Sequence, residues 1–117
     1  MVDMLILKND KVKIIIEIEE SDIIPVHICG KLLASALSSW YIYKRAPYPM
    51  DDSVSFVQVI KIPKPEGNTS KPKQCENIAK SINNILPIKG SKIKRYKLFT
   101  DVNINKIVDF IVAEYNS

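Results

Sequence analysis

Hydrophobic positions along the chain follow two different spacings. Alternation of apolar and polar residues, rich in β-branched side chains, predicts strands, and apolar residues three and four positions apart predict helices. The predicted strands cover residues 4–7, 12–19, 54–61 and 91–100. The predicted helices run from 25 to about 43, from 70 to 86 and from 104 to 115. The order ββαβαβα indicates an α/β (α+β) fold in which helices pack on a small mixed sheet.

Apolar stripes identify the buried side of each predicted helix. The first helix is expected to bury Ile28, Leu32, Ser35, Ala36, Ser39 and Trp40. The second is expected to bury Ile78, Ile82, Ile85 and Leu86. The third has an amphipathic pattern formed by Ile104, Ile107, Val108, Ile111, Val112 and Tyr115. Pro47, Pro49 and Asp51 predict a loop after the first helix.

Length and composition narrow the class of protein. The 117 residues suit one domain, and 46% hydrophobic residues exclude a disordered chain. Cys29, Cys75 and the single histidine His27 are too few for a zinc centre, and both thiols are expected to be reduced and buried. No stretch reaches the roughly 18 apolar residues that a membrane span needs. We therefore expect a cytoplasmic protein with no membrane partner.

Two glutamates stand two positions apart on the second predicted strand. Residues with this spacing share a face and lie roughly 6.6 Å apart, so Glu17 and Glu19 point one way and Ile18 the other. Asp3, just before the first strand, adds a third carboxylate. Converging carboxylates suit Mg²⁺, which can promote phosphodiester hydrolysis. The alternative is that the glutamates are the solvated face of an antiparallel strand.

A shared site requires Asp3 and Glu17 to lie on the same face of the hairpin. A two-residue loop at Asn9-Asp10 alone would pair Asp3 with Ile16 and place the two acids on opposite faces. A three-residue loop or a bulge restores the shared face, because a one-residue slip flips every side chain. Asn-Asp is not a favoured two-residue pair. We therefore predict that both carboxylates lie on one face, within reach of one ion.

The segment from Asp3 through a strand, turn and strand to Glu17-Ile18-Glu19 resembles the motif of PD-(D/E)XK nucleases. This superfamily includes restriction endonucleases, junction resolvases and repair nucleases. The resemblance implies a restriction endonuclease-like fold, Mg²⁺ as cofactor, and metal ligands at Asp3, Glu17 and Glu19. Glu19 stands where lysine is usual, a variant that some restriction enzymes carry. Lys31, on the following helix, is the candidate for the missing positive charge, which completes the expected catalytic set.

Asp3, the first acid of the motif, stands almost at the start of the given sequence. The family has a helix, and often another strand, before its first acid. We therefore expect residues 1–117 to be a fragment of a longer nuclease-like domain. The alternatives are that a partner supplies the missing elements or that the activity is lost.

Basic residues concentrate in the C-terminal half of a chain with a formal net charge of +4. Such clusters favour anionic partners, of which nucleic acid is the commonest. The expected DNA contacts are Lys71, Lys73, Lys89, Lys92, Lys94, Arg95 and Lys97. The alternative is that lysines solvate the outer face of a strand and protect a sheet edge from pairing.

The aromatic residues Trp40, Tyr41 and Tyr43 leave two interpretations open. They could stack on bases of DNA, or they could form core or a homodimer interface. The sequence thus predicts an Mg²⁺-dependent DNA endonuclease. A non-catalytic α/β module that binds DNA or a protein partner is the alternative.

Overall fold

The computed structural model describes residues 3–19, 25–38, 40–60, 70–100 and 103–117. Their order is ββαββαβα. The strands are β1 Met4–Lys8, β2 Lys11–Glu19, β3 Trp40–Tyr43, β4 Ala46–Ile60 and β5 Ile93–Phe99. The helices are α1 Pro25–Ala36, α2 Ser70–Ile85 and α3 Ile104–Tyr115. The predicted mixed α+β class is confirmed, with one strand more than the sequence indicated.

The sheet is mixed. β2 and β4 are parallel, as are β4 and β5, whereas β1 is antiparallel to β2. Helix α1 lies between β2 and β4 in sequence, and α2 lies between β4 and β5. These are the helical crossovers that parallel neighbours require. The central strand is β4, with β2 on one side and β5 on the other.

Both faces of the sheet are covered by helices. On one face, Ile15 and Phe56 pack with residues of α1 and α2 such as Leu32 and Ile82. The opposite face packs against α3, and its cluster comprises Ile14, Ile16, Val57, Val59 and Phe99 with Ile107, Phe110 and Ile111. A strand buried on both faces is apolar at most positions, which explains the long apolar runs in β2 and β4. Among the described helices, none is long and apolar enough to cross a membrane.

The first helix is shorter than predicted, because its expected end is a strand. α1 stops at Ala36, and Trp40–Tyr43 pairs with the start of β4 across a two-residue turn. Lys44 and Arg45 in that turn have φ values of 49° and 66°, the left-handed conformation of a type I′ hairpin. Aromatic and β-branched side chains favour strand pairing. In Trp40–Tyr43 this preference prevails over the helical spacing of apolar residues that predicted a longer first helix.

The loop predicted around Pro47, Pro49 and Asp51 is also wrong, because all three residues belong to β4. A two-residue turn makes Tyr43 and Ala46 the hydrogen-bonded pair, and ladder bonds then fall at every second position. Both prolines therefore occupy positions at which the ladder needs no N–H. This placement lets the strand continue through them.

Two of the predicted apolar stripes differ from the buried faces. Ile85, expected in the core, is 61% exposed, whereas Cys75 is buried in α2. In α3 the sheet-facing residues are Ile107, Phe110, Ile111 and Glu114, and the exposed ones are Ile104, Val108, Val112 and Tyr115. This rotation places Glu114 beside Arg95 of β5, with which it forms an ion pair. Cys29, expected to be buried, is exposed.

Candidate functional site

A bulge sets the register of the β1–β2 hairpin. The turn at Asn9-Asp10 has two residues with φ of 53° and 65°, and Lys8 pairs with Lys11. The register then shifts by one residue, so Met4 lies opposite Ile16. Continued by one residue beyond β1, this register would place Asp3 opposite Glu17. The bulge thus supplies the one-residue correction that the sequence required for a shared face.

Asp3 uses one carboxylate oxygen to hold the hairpin. Its Oδ2 accepts a hydrogen bond from the backbone N–H of Ile18 at 2.7 Å. The side chain is exposed. The other oxygen, Oδ1, is the one available for another partner.

The two glutamates of β2 point into the protein rather than towards solvent. Glu17 is 4% exposed and Glu19 is 7% exposed, whereas Ile18 between them is 60% exposed. Both glutamates lie on the face of β2 that α1 covers, where Lys31 of that helix contacts Glu19. Strands β1 and β4 pair with β2 on either side, so neither edge of β2 is open to solvent. The alternative of a solvated strand face is therefore wrong for these residues. Buried carboxylates are costly, and proteins keep them where a cation or a proton compensates.

Lys31 of α1 supplies that cation. Its Nζ donates to both oxygens of Glu19, at 2.8 Å and 2.6 Å, and lies 4.0 Å from Glu17 Oε2. The hydrogen bond to Glu19 raises the pKa of Lys31, with burial acting in the opposite direction. Lys31 therefore stays charged, and it stands beside the acids, as the sequence suggested.

One positive charge does not neutralise two carboxylates. Burial and, secondly, the hydrogen bond to Glu19 raise the pKa of Glu17, while Lys31 acts to lower it, and together they bring it to about 7. Among the residues that the structure describes, none forms a hydrogen bond with the buried Oε2 of Glu17. The pair therefore has an unfilled capacity for positive charge, centred on Glu17.

A polar neighbour on β4 was not identified from the sequence. Gln58 pairs with Glu17 in the parallel register and is fully buried. Tyr96 of β5 donates to the Oε1 of Gln58 at 2.5 Å, and no hydrogen-bond partner of the Nε2 of Gln58 is found in the described part of the chain. An unpartnered donor thus stands on the strand next to the unpartnered acceptor of Glu17. Only the strand register reveals this proximity, because the two residues are far apart in sequence.

A cavity of about 200 Å³ opens beside Glu17. Its lining combines acid, base and aromatic groups: Glu17, Lys31, Ala34, Ser35, Tyr41, Ile42 and Tyr43. The hydroxyls of Ser35 and Tyr41 are hydrogen-bonded to each other. Burial raises the pKa of Tyr41, so its hydroxyl stays protonated at neutral pH. The site is therefore accessible on the side where β3 approaches α1.

The donor chemistry suits a hard divalent cation, which prefers carboxylate oxygen. In the part of the chain that the structure describes, no three Asp, Glu, His or Cys side chains stand together as a metal-binding group. Glu17 and Glu19 form a pair, and Asp3, bonded to the backbone of Ile18, does not stand with them as a third ligand. The unpartnered buried oxygen of Glu17 is the observation that fits a cation.

The predicted DNA-contacting residues do not form one surface. On β5, Lys94 donates to the carbonyl of Ser91 at 2.6 Å, and Arg95 pairs with Glu114 at 2.6 Å. Lys92 lies 3.6 Å from Asp52, Lys97 lies over the ring of Phe99, and Lys73 and Lys89 are exposed. The side chain of Lys71 lies outside the described residues. Successive residues of β5 point to opposite faces, and β5 is an edge strand, as the solvation alternative expects.

No family model matches the chain, and the searches of curated proteins and of solved structures returned no significant match. The residues of the site alone therefore carry the functional argument.

Proposed function

We propose that this protein is an Mg²⁺-dependent DNA endonuclease of the restriction endonuclease-like type. The carrying observation is the buried pair Glu17 and Glu19, for which the described residues supply one ion-pair partner, Lys31. Such an under-neutralised pair gains from a second cation. The alternation of β2 and the hydrogen bond between Asp3 and the backbone of Ile18 bring the residues of the resemblance to one end of the hairpin.

The order of elements around the acids also supports the proposal. An antiparallel hairpin carries the acids, a helix follows, and the next long strand is parallel to the second strand of the hairpin. The PD-(D/E)XK resemblance implies a core of this kind. The restriction endonuclease-like fold remains part of the proposal.

In this mechanism Glu17 and Glu19 would hold the metal, and Asp3 would contribute its Oδ1. Mg²⁺ would there neutralise phosphate charge and lower the pKa of an attacking water. Glu19 would accept the proton of that water, or serve as a ligand. Lys31 would pair with a phosphate oxygen near the bond to be cleaved.

The basic residues of β5 and α2 supply additional phosphate contacts in this proposal. Replacing Lys92 and Lys94 by Ala should weaken DNA binding and flatten its salt dependence by about one unit of slope per lost phosphate contact. If the salt dependence of DNA binding keeps its slope, both lysines only solvate the edge strand and do not contact phosphates.

One observation favours the non-catalytic alternative. Lys31 already forms a close ion pair with Glu19, so part of the site is satisfied without metal. A module that binds DNA or a protein through the same fold, without chemistry, would keep that pair permanently.

The deciding experiment measures metal binding and cleavage on the same variants. Titration calorimetry with MgCl₂ and a cleavage assay on labelled single- and double-stranded DNA are applied to wild type and Glu17→Gln. We expect Mg²⁺ binding and metal-dependent cleavage by the wild type and loss of both in Glu17→Gln. Glu76→Gln, which removes an exposed carboxylate on α2, is the matched control and should behave as wild type.

Two outcomes would contradict the proposal. Wild-type protein that binds no Mg²⁺ or Mn²⁺ and cleaves neither substrate favours the non-catalytic module. Equal cleavage by wild type and Glu17→Gln would place the activity elsewhere.

A further inference from the structure

The β3–β4 hairpin exposes large apolar side chains on one of its faces. Trp40 is 59% exposed and Ile42 is 75% exposed. The alternate residues, Tyr41 and Tyr43, are partly buried against the core. A strand that buries one aromatic pair and leaves a tryptophan and an isoleucine in solvent presents a ready contact surface.

The turn of this hairpin is cationic. Lys44 and Arg45 form the two-residue turn, next to the exposed face of β3. No acidic residue occurs between 40 and 50. The hairpin therefore offers an aromatic platform and, about 13 Å further along the strand, two positive charges. This combination is complementary to a chain that carries both bases and phosphates.

The hairpin is also next to the acid pair. Ile42 and Tyr43 line the same cavity as Glu17 and Lys31. Ile42 is therefore shared by the exposed face of β3 and the lining of that cavity. The basic residues of β5 are less well placed, because β5 is separated from β2 by β4.

We propose that the β3–β4 hairpin binds single-stranded DNA, with an unpaired base stacked on Trp40 and phosphates at Lys44 and Arg45. A flat exposed indole needs the face of an unstacked base, which a regular duplex does not offer. This inference rests on the proposed function for its substrate, since the strand held here is the one delivered to Glu17 and Glu19.

Trp40 is the single tryptophan of the chain, so its fluorescence reports on the contact directly. The measurement is made in EDTA, which separates binding from cleavage. We expect oligo-dT to quench the fluorescence in a saturable titration, and a blunt duplex of the same length to bind at least tenfold more weakly.

Variants test the two parts of the surface by anisotropy of a labelled oligo-dT. Trp40→Leu should weaken binding about tenfold or more, and Trp40→Phe should restore much of it, because stacking needs an aromatic ring. Lys44→Asn with Arg45→Gly removes both charges but keeps residues that a type I′ turn prefers. It should flatten the salt dependence by about 1.4 units of slope. Lys11→Ala with Lys106→Ala removes two exposed lysines, one at the start of β2 and one on α3, and serves as the control.

Several results would overturn the inference. Unquenched fluorescence at saturating oligo-dT would do so, as would equal affinity of wild type and Trp40→Leu. A fluorescence change that follows protein concentration without DNA would assign the face to self-association. Metal-dependent cleavage without fluorescence quenching would reject DNA binding at the hairpin and leave the nuclease proposal standing. Quenching without cleavage would reject the nuclease proposal and leave DNA binding at the hairpin standing.

Discussion

Lys31 and Glu19 form a two-pronged ion pair, with the lysine Nζ at 2.8 Å and 2.6 Å from the two carboxylate oxygens. The lysine side chain is partly exposed and the carboxylate is buried. The pair therefore has one fixed partner inside the protein and one partner that can reach solvent. Removal of the lysine would therefore leave the buried carboxylate of Glu19 without its ion-pair partner and without access to water.

We expect Lys31→Met to destabilise the metal-free protein by roughly 3 kcal/mol, the typical cost of a buried charge left unpaired. Added Mg²⁺ should recover much of that loss, because a second cation then neutralises Glu17 and Glu19. Urea denaturation in EDTA and in MgCl₂ measures both effects. Lys106→Met, at an exposed position on α3, should stay within about 0.5 kcal/mol of wild type in either buffer. Equal stabilisation of wild type and Lys31→Met by Mg²⁺ would argue against a metal at the acids.

The raised pKa of Glu17 makes stability depend on pH. The folded protein keeps a proton on Glu17 up to about pH 7, whereas the unfolded chain releases it near 4.5. Between these values the folded state binds more protons, so the free energy of unfolding falls as pH rises. The difference corresponds to roughly 3 kcal/mol. Below about pH 4.5 both states are protonated and the penalty vanishes.

Glu17→Gln isolates this effect, because the amide does not titrate. In EDTA the variant should be more stable than wild type at pH 8 and close to it at pH 4.5. Urea midpoints across that range, converted to free energies, provide the test. Parallel pH profiles for the two proteins would mean that Glu17 titrates normally.

Asp3 offers a clean separation of structure from metal binding. Asp3→Asn keeps an oxygen that can accept the hydrogen bond from Ile18 N, so stability should change by less than about 0.5 kcal/mol. Asp3→Ala loses that bond and should cost about 1 kcal/mol. Calorimetry should show weaker Mg²⁺ binding in both variants. If Asp3→Asn binds Mg²⁺ as tightly as the wild type, Asp3 is not a ligand of the metal.

Alternation along the chain was enough to place Glu17 and Glu19 on one face, because side-chain period in a strand is fixed by backbone geometry. It was not enough to tell which face is buried. Ile18 is the exposed residue, and this orientation depends on where α1 packs. Tertiary packing, rather than local pattern, decides between the two faces of such a strand.

Other features depend on pairings between distant residues. Gln58 becomes part of the site only through the register of β4 with β2. The strand at Trp40–Tyr43 depends on pairing with Ala46–Pro49, which an amphipathic helical pattern concealed. In the same way, the rotation of α3 brings the buried Glu114 to Arg95 of β5, a contact that no periodicity could indicate.

Arg95, which the sequence predicted to contact DNA, forms an ion pair within the protein. It donates to Glu114 Oε2 at 2.6 Å, and Ser55 donates to the other oxygen of this buried carboxylate at 3.0 Å. Arg95→Met would leave Glu114 with one neutral donor and should destabilise the fold by about 2 kcal/mol. Adding Glu114→Gln to Arg95→Met should recover most of the loss, because no buried charge remains. Lys97→Met, on the same strand, should change stability by less than about 0.5 kcal/mol. If urea denaturation finds Arg95→Met as stable as Lys97→Met, the ion pair does not hold α3 on the sheet, and Arg95 is free to contact DNA.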